Sequence, residues 1–226
     1  MSACEIMVST FRQDEMKILS HRGFWLAPDE RNGATAFERS FSLGFGTETD
    51  LRDLDGGLVV AHDPPRTGAM TAEEMFALHA RHDAGLPLAL NVKCDGLQTL
   101  LAPLLEQFAP RDAFVFDMAI PDMLGWLRAG VPVFTRHSDV EPDPVLADRA
   151  AGVWLDGFHS DWWDASVIGR HLDAGLRVCI VSPELHGRDH RPVWDRLAGS
   201  DVTRSQQVML CTDHPADAKE VFGHDH

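Results

Sequence analysis

Lysine is nearly absent from this chain, which carries it only at Lys17, Lys93 and Lys219. With 20 basic against 35 acidic side chains, the formal charge of the 226 residues is −15. A field of that sign repels phosphate backbones and anionic bilayers, so nucleic acid and acidic membranes are excluded as default partners. Any phosphate bound here must be bound locally. No run of about 18 apolar residues occurs, so no transmembrane helix is expected. Met1 to Met16 lack the basic-then-apolar order of a secretion signal, and a cytoplasmic location is the expectation. Cysteine is sparse as well: Cys4, Cys94, Cys179 and Cys211 lie far apart and form no CxxC pair. That spacing argues against a zinc knuckle or disulfide framework and predicts reduced, packed thiols. Low-complexity segments, Gly/Ser linkers and strong repeats are missing too, so one domain is expected over 1–226. The closing Gly-His-Asp-His is read as a frayed tail, with no metal role for His224 or His226.

What the chain does contain is 44% hydrophobic residues, enough for a sizeable core. Short β-rich runs alternate with segments of helical period. The runs are Met16–Ser20, Thr47–Leu51 with an extension at Leu58–Ala61, Leu88–Lys93, Ala113–Asp117, Val131–Phe134, Gly152–Leu155, Leu176–Val181 and Val208–Cys211. Helices are predicted over Ala34–Leu43, Thr71–His82, Leu97–Phe108, Pro121–Ala129, Pro144–Ala150, Trp163–Ala174, Arg191–Leu197 and Pro215–Phe222. Strict β/α alternation favours a parallel sheet, and eight such units favour a closed (β/α)8 TIM barrel, which typically needs about 250 residues. The chain is slightly short, so the fold class predicted is a single α/β barrel with tight loops and no sizeable inserted subdomain.

Nearly every predicted strand turns polar at its C-terminal end: His21, then Glu48 and Asp50, Asn91 and Lys93, Asp117, Arg136 and His137, Asp156, Ser182 and Glu184, and Thr212 and Asp213. Those ends form the reactive rim of such barrels. Polar residues also mark strand-to-loop transitions in any α/β protein. Acids and bases, rather than Gly or Ser, dominate this set and favour the first reading.

Side chains two apart on a strand share a face, which brings Glu48 and Asp50 to within about 6 to 7 Å along the backbone. Converging carboxylates repel unless a cation lies between them, and hard oxygen ligands suit Mg²⁺ or Ca²⁺. A pair of exposed acids at a strand edge is the plainer alternative. The Asp55-Gly56-Gly57 turn should fold Leu58–Ala61 back beside the Glu48/Asp50 strand and deliver His62 near the acids, where an imidazole can move protons. His21 is a second such imidazole or a core histidine. Arg22 is a planar donor for phosphate oxygens, and Gly23 permits a sharp turn. In Leu88–Lys93, strict alternation sends Leu88, Leu90 and Val92 toward the helices and Asn91 and Lys93 inward.

Taken in order, His21-Arg22-Gly23, the "NGATAF" stretch from Asn32 to Phe37, Gly44-Phe45-Gly46, Glu48-x-Asp50, His62-Asp63 and the strand ending in Lys93 resemble the glycerophosphodiester phosphodiesterase family. That family is a branch of the barrel phosphodiesterases that includes phosphatidylinositol phospholipases C. "FVFDM" at Phe114–Met118 and "CTDHP" at Cys211–Pro215 are similar to its fourth and eighth strands. The resemblance implies a divalent metal, Mg²⁺ or Ca²⁺, on Glu48 and Asp50, with His21 and His62 as general base and general acid. It also implies phosphate charge held by Arg22 and Lys93, and a small-molecule phosphodiester substrate such as a glycerophosphodiester or lipid headgroup ester. A substrate hydroxyl beside the phosphate would attack phosphorus, and water would then open the cyclic phosphate.

The chain departs from the family pattern in three places. Asn91 replaces the usual glutamate ligand two residues before the strand-three lysine, leaving a neutral oxygen donor. "PDERNG" at Pro28–Gly33 replaces the shorter Pro-Glu-Asn-Thr, with Gly33 for its threonine, and whether Asp29 or Glu30 replaces its glutamate is left open. The stretch from His62 to the next predicted strand lacks the usual inserted subdomain, which predicts a more open pocket. Two further readings therefore stand beside a hydrolase: a barrel that binds phosphate esters without turnover, and a lyase that stops at the cyclic phosphate. Trp154, Trp162 or Trp163 are candidate substrate walls or packed core, and Glu184 belongs to a polar loop past the seventh barrel strand, where barrels often bind phosphate. The oligomeric state is left open.

Overall fold

The computed structural model describes residues 15–223. Residues 1–14, which include Cys4 and most of the stretch read for a signal, and the terminal histidines His224 and His226 lie outside the described residues. The elements in chain order are β1 (Lys17–His21), α1 (Ala34–Ser42), β2 (Gly46–Leu54), β3 (Gly57–Val60), α2 (Ala72–His82), β4 (Leu88–Val92), α3 (Gln98–Phe108) and β5 (Ala113–Phe116). They continue with α4 (Ile120–Arg128), β6 (Phe134–His137), β7 (Gly152–Leu155), α5 (Ala165–Asp173), β8 (Arg177–Val181), α6 (Arg191–Ala198), β9 (Val208–Thr212) and α7 (Pro215–Phe222).

All strands but β3 run parallel, in the order β5-β4-β2-β1-β9-β8-β7-β6. The ends of this sheet meet where Val115 bridges Val133 and the Val115 N–H donates to the Pro132 carbonyl at 2.9 Å. The result is a single (β/α)8 TIM barrel. β3 is a hairpin arm antiparallel to the outer half of β2, with Leu51 opposite Val60. Its turn puts Asp55 at φ 51° and Gly56 at φ 81°, the left-handed pair a tight hairpin requires.

Two predicted elements are corrected. No helix forms over 144–150, where the chain makes only turns and Leu146 takes φ 55°. A segment that short, opened by Pro142 and Pro144, does not recover the cost of helix nucleation. The strand predicted at Val131–Phe134 is β6, displaced toward its C-terminus. Pro132 has no N–H for a ladder, and Val133 contributes only the single bridge.

Alternation along the strands sorts the core into layers. Leu88, Leu90 and Val92 pack outward against Phe37, Phe76 and Trp126, and Val153, Ile180 and Leu210 face Ile168 and Trp194 on the other flank. Leu19, Ala89, Phe114, Phe116, Phe134, Trp154, Cys179 and Cys211 fill the barrel itself. Burying each large apolar side chain contributes about 1.5 to 3 kcal/mol. One step further along the same inward face, Leu19 gives way to His21, Ala89 to Asn91, Phe134 to Arg136, Trp154 to Asp156 and Cys211 to Asp213. Two-residue periodicity thus stacks a charged layer on an apolar one. At the opposite mouth Asp112 pairs with Lys17 at 2.6 Å and with Arg177 at 2.7 Å, tying strands together where no chemistry is expected. Cys94, Cys179 and Cys211 are unpaired thiols, the last two buried. Among the described residues no helix is long and apolar enough to cross a membrane.

Candidate active site

The turn after β1 shapes the mouth. Arg22 adopts φ 59° and Gly23 φ 82°. A Cβ on Gly23 would lie 2.8 Å from the Ala36 Cβ, so only glycine lets this turn sit on α1. The Arg22 N–H donates to the Glu48 carbonyl at 3.0 Å, and the Asn32 N–H to the Arg22 carbonyl at 2.9 Å. This backbone clasp holds His21, Arg22 and Asn32 over the end of β2.

Glu48 and Asp50 are both buried on the inward face of β2. Asp50 is neutralised from several sides: Asn32 Nδ2 donates to its Oδ2 at 2.8 Å, Arg22 Nε lies 3.1 Å from the same oxygen, and Lys93 Nζ lies 3.2 Å from Oδ1. Thr49 Oγ1 donates to Asn32 Oδ1 at 2.9 Å, which fixes the amide orientation. Glu48 has no such cation in contact. Desolvation first, then the charge of Asp50, push its carboxyl up to about 7, against the pull of His21, Lys93 and Arg22. His21 Nε2 stands 3.9 Å from Glu48 Oε2, while its Nδ1 lies 2.7 Å from Asp213 Oδ1.

Asn91 on β4 donates through Nδ2 to Glu48 Oε1 at 3.4 Å and to Asp117 Oδ2 at 3.2 Å. Asp117, at φ 64° just past β5, pairs with Arg136 at 3.1 Å. Burial raises the Asp117 carboxyl, although Arg136 and Lys93 pull the other way. Arg136 also pairs with Glu141.

Three buried oxygens here lack a hydrogen-bond partner: Glu48 Oε2, Asp50 Oδ1 and Asn91 Oδ1. The Lys93 contact with Asp50 Oδ1 is close enough for an ion pair without hydrogen-bond alignment. Among the described residues no three His, Cys, Asp or Glu side chains group as a metal cage. The amide oxygen of Asn91 is the third donor that such a grouping omits. Two carboxylates and an amide, orphaned on adjacent strands, are a hard-oxygen set that fits Mg²⁺ or Ca²⁺.

The structure brings His21, Arg22, Glu48, Asp50, Asn91 and Lys93 together and leaves the other candidates outside this cluster. The Ala61 N–H donates to the Asp50 carbonyl at 3.0 Å, so the chain enters the His62 loop beside Asp50. The imidazole itself is 45% exposed and bonds its neighbour Asp63 at 3.0 Å, not either site carboxylate. β3 ends at Val60, and Arg52 Nε donates to the His62 carbonyl at 2.9 Å. An open hollow of about 890 Å³ lies along this loop, lined by Ala61, Asp63, Pro64, Arg66 and Thr67 and by none of the clustered charges. Trp154 lies inside the barrel, stacked on Phe116 with ring centroids 3.8 Å apart. Trp162 donates to the Asp156 carbonyl, and Trp163 is buried in the outer core. Glu184 accepts from Ser182, from Thr212 and from the Asp213 N–H at 3.1 Å, bracing the end of β9. Glu30 is held by Arg39 at 2.9 Å and by the Leu26 N–H at 2.8 Å, so Asn32 is the residue of that loop that reaches Asp50.

Sequence reasoning placed Asp117, Arg136 and Asp213 on the polar rim and Asn32 in the "NGATAF" stretch, without giving any of them an individual role. Their signal is positional: the first three stand one step above the apolar barrel layer or at a strand end.

The fold and mouth together define a (β/α)8 barrel whose rim gathers carboxylates, an imidazole and cationic side chains. No protein-family model matches the chain, and no curated protein matches it in sequence. Solved structures do share the fold. A glycerophosphodiester phosphodiesterase from Agrobacterium tumefaciens superposes with TM-score 0.65 at 19% identity, covering 91% of this chain and 98% of that one. A phosphodiesterase from Oleispira antarctica, solved with its product sn-glycerol-3-phosphate, gives TM-score 0.65 at 14% identity over 92% and 96%. A Ca²⁺-dependent phosphatidylinositol-specific phospholipase C from Streptomyces antibioticus gives 0.53 at 11% over 92% and 96%.

Proposed function

We propose that the chain is a metal-dependent phosphodiesterase acting on a glycerophosphodiester or a related lipid headgroup ester. The observation that carries this reading is the convergence of His21, Glu48, Asp50, Asn91, Arg22 and Lys93 at one mouth of a barrel shared with glycerophosphodiester phosphodiesterases. Glu48, Asp50 and Asn91 would hold the divalent ion, which supplies charge stabilisation to the non-bridging phosphate oxygens. Arg22 and Lys93 line the same anionic position and add fixed positive charge.

His21 is the general base. Asp213 on Nδ1 fixes the tautomer and stabilises the imidazolium, leaving Nε2 to take the proton of a substrate hydroxyl. That hydroxyl oxygen forms a bond to phosphorus as the bond to the leaving alcohol breaks, and His62 gives the alcohol its proton. Water then opens the cyclic phosphate with the proton transfers reversed. The short 61–71 connection leaves His62 at an open edge, where its exposed ring can meet a leaving group.

The outward His62 ring also favours a second reading, a barrel that binds phosphate esters without turning them over. Hydrolysis of glycerophosphocholine and bis(p-nitrophenyl) phosphate with Mg²⁺, Mn²⁺ or Ca²⁺ decides between them. Ion-dependent release of alcohol is expected. Binding by calorimetry with no product under any of the ions would sink the enzyme reading, and a persistent cyclic ester in phosphorus NMR would identify a lyase.

A further inference from the structure

We infer that Asp117 is a cation-holding residue that supplies, from β5, the carboxylate missing at Asn91 on β4. This rests on the metal-dependent reading above and extends it to a residue to which the sequence resemblance gives no ligand role. Three adjacent strands contribute. Asn91 pairs in register with Asp50 on one side and with Phe116 on the other, so Asp117 is the first residue past its neighbour strand. Asn91 Nδ2 lies between two carboxylates, 3.4 Å from Glu48 Oε1 and 3.2 Å from Asp117 Oδ2. The Asn91 side chain is 94% buried by its residue exposure of 6%, and its Oδ1 has no partner. Glu48 Oε2 is orphaned beside it.

An amide nitrogen placed between two carboxylate oxygens occupies the position where a positive charge is most stabilised. Exchange of the amide ends is a low-cost rotation about χ2 that brings the orphaned oxygen to that position. Glu48, Asn91 and Asp117 then offer oxygen from β2, β4 and β5, and two carboxylates flank the neutral donor. Asp117 holds φ 64°, a left-handed conformation that Asp and Asn adopt more readily than other residues with a Cβ. Arg136, 3.1 Å from Asp117 Oδ1, neutralises one oxygen and leaves Oδ2 for the shared position.

The test is calorimetric titration of the full chain with Mn²⁺ alone, together with the metal-free melting temperature of each variant. Asp117→Asn preserves shape and tolerates the left-handed backbone, and Asp117→Gly relieves that backbone altogether. Both are expected to weaken Mn²⁺ binding by about tenfold or more. The double variant N91D/D117N, which moves the carboxylate one strand over, is expected to recover most of the loss. Arg136→Gln breaks the same ion pair but keeps the carboxylate, and should bind Mn²⁺ within about threefold of the parent. Loss in R136Q equal to that in D117N would make the effect one of ion pairing and overturn the inference. So would a D117N/N91D pair no better than D117N. Native affinity in D117N alongside loss in E48Q overturns the Asp117 assignment alone, whereas no Mn²⁺ uptake by the parent chain overturns the metal reading beneath it as well.

Discussion

His21 and Asp213 stand at the ends of the first and last barrel strands, with imidazole Nδ1 2.7 Å from carboxylate Oδ1. Burial alone raises a carboxyl, yet the hydrogen bond and charge of His21 outweigh it and hold Asp213 below the usual range. An ionised Asp213 favours the protonated ring that forms during base catalysis. Asp213→Asn is therefore expected to lower turnover roughly 10²-fold, and His21→Ala by roughly 10² to 10⁴. Steady-state kinetics on glycerophosphocholine, which carries a hydroxyl beside the phosphate, checks both, and a D213N rate within threefold of the parent would remove the pairing from the mechanism.

His62 makes a sharper prediction because its ring contributes nothing visible to packing. It is half-exposed and bonded only to its exposed neighbour Asp63. His62→Ala should leave the melting temperature unchanged and reduce turnover by roughly 10²-fold for a substrate with a poor leaving group. A nitrophenolate leaving group needs no proton, so with it the loss should shrink. Equal rates for parent and variant on glycerophosphocholine would dismiss His62 as the general acid.

The barrel was legible because its strands are short apolar runs with two-residue alternation, and the alternation continues into the rim. Leu88-Ala89-Leu90-Asn91-Val92-Lys93 reads out both the helix-facing layer and the inward Asn91. Glu48 and Asp50 shared a face for the same reason. What the alternation could not provide is the direction a side chain takes once the strand stops. His62 follows β3 by two residues, in a loop where Arg52 donates to its carbonyl. The Asn32 contact with Asp50 depends on the left-handed Arg22 and on a backbone bond across the loop. The absent helix over 144–150 was misread because a proline at its start signals a helix only when enough residues follow to propagate it.

Trp154 is buried at 4% exposure and stacked on Phe116 inside the barrel, one step below Asp156 on the same face. That placement makes it core first. Trp154→Ala should cost about 3 to 5 kcal/mol, read from a urea melt, because the barrel interior cannot collapse around a cavity that size. A loss under about 1 kcal/mol would mean that the ring is not packed as the stacking indicates, and a wall role with an altered KM would then become the better reading.

His137 and His171 form a pair outside the reactive mouth, Nδ1 of one 2.9 Å from Nε2 of the other, with Trp162 edge-on to His137 at 4.6 Å. One hydrogen bridges two neutral rings, and there is no carboxylate in the contact. Burial, then His137, then Arg170 push His171 down to about 4, and burial with Arg170 also lowers His137 despite the carbonyl of Pro142 and the charge of Asp143. The folded chain therefore resists a proton that the unfolded chain accepts below the ordinary value of 6.5. The His171 contribution to stability should fall as pH drops from 6.5 toward about 4 and level off below it. The part owed to His171 is on the order of 1 to 2 kcal/mol once discounted for a half-exposed ring. His171→Gln keeps a donor for His137 and cannot titrate, so its melting temperature should decline less than the parent's between pH 6.5 and 4. Parallel acid limbs in the two proteins would show that other groups govern the acid loss and that the imidazole pair carries none of it.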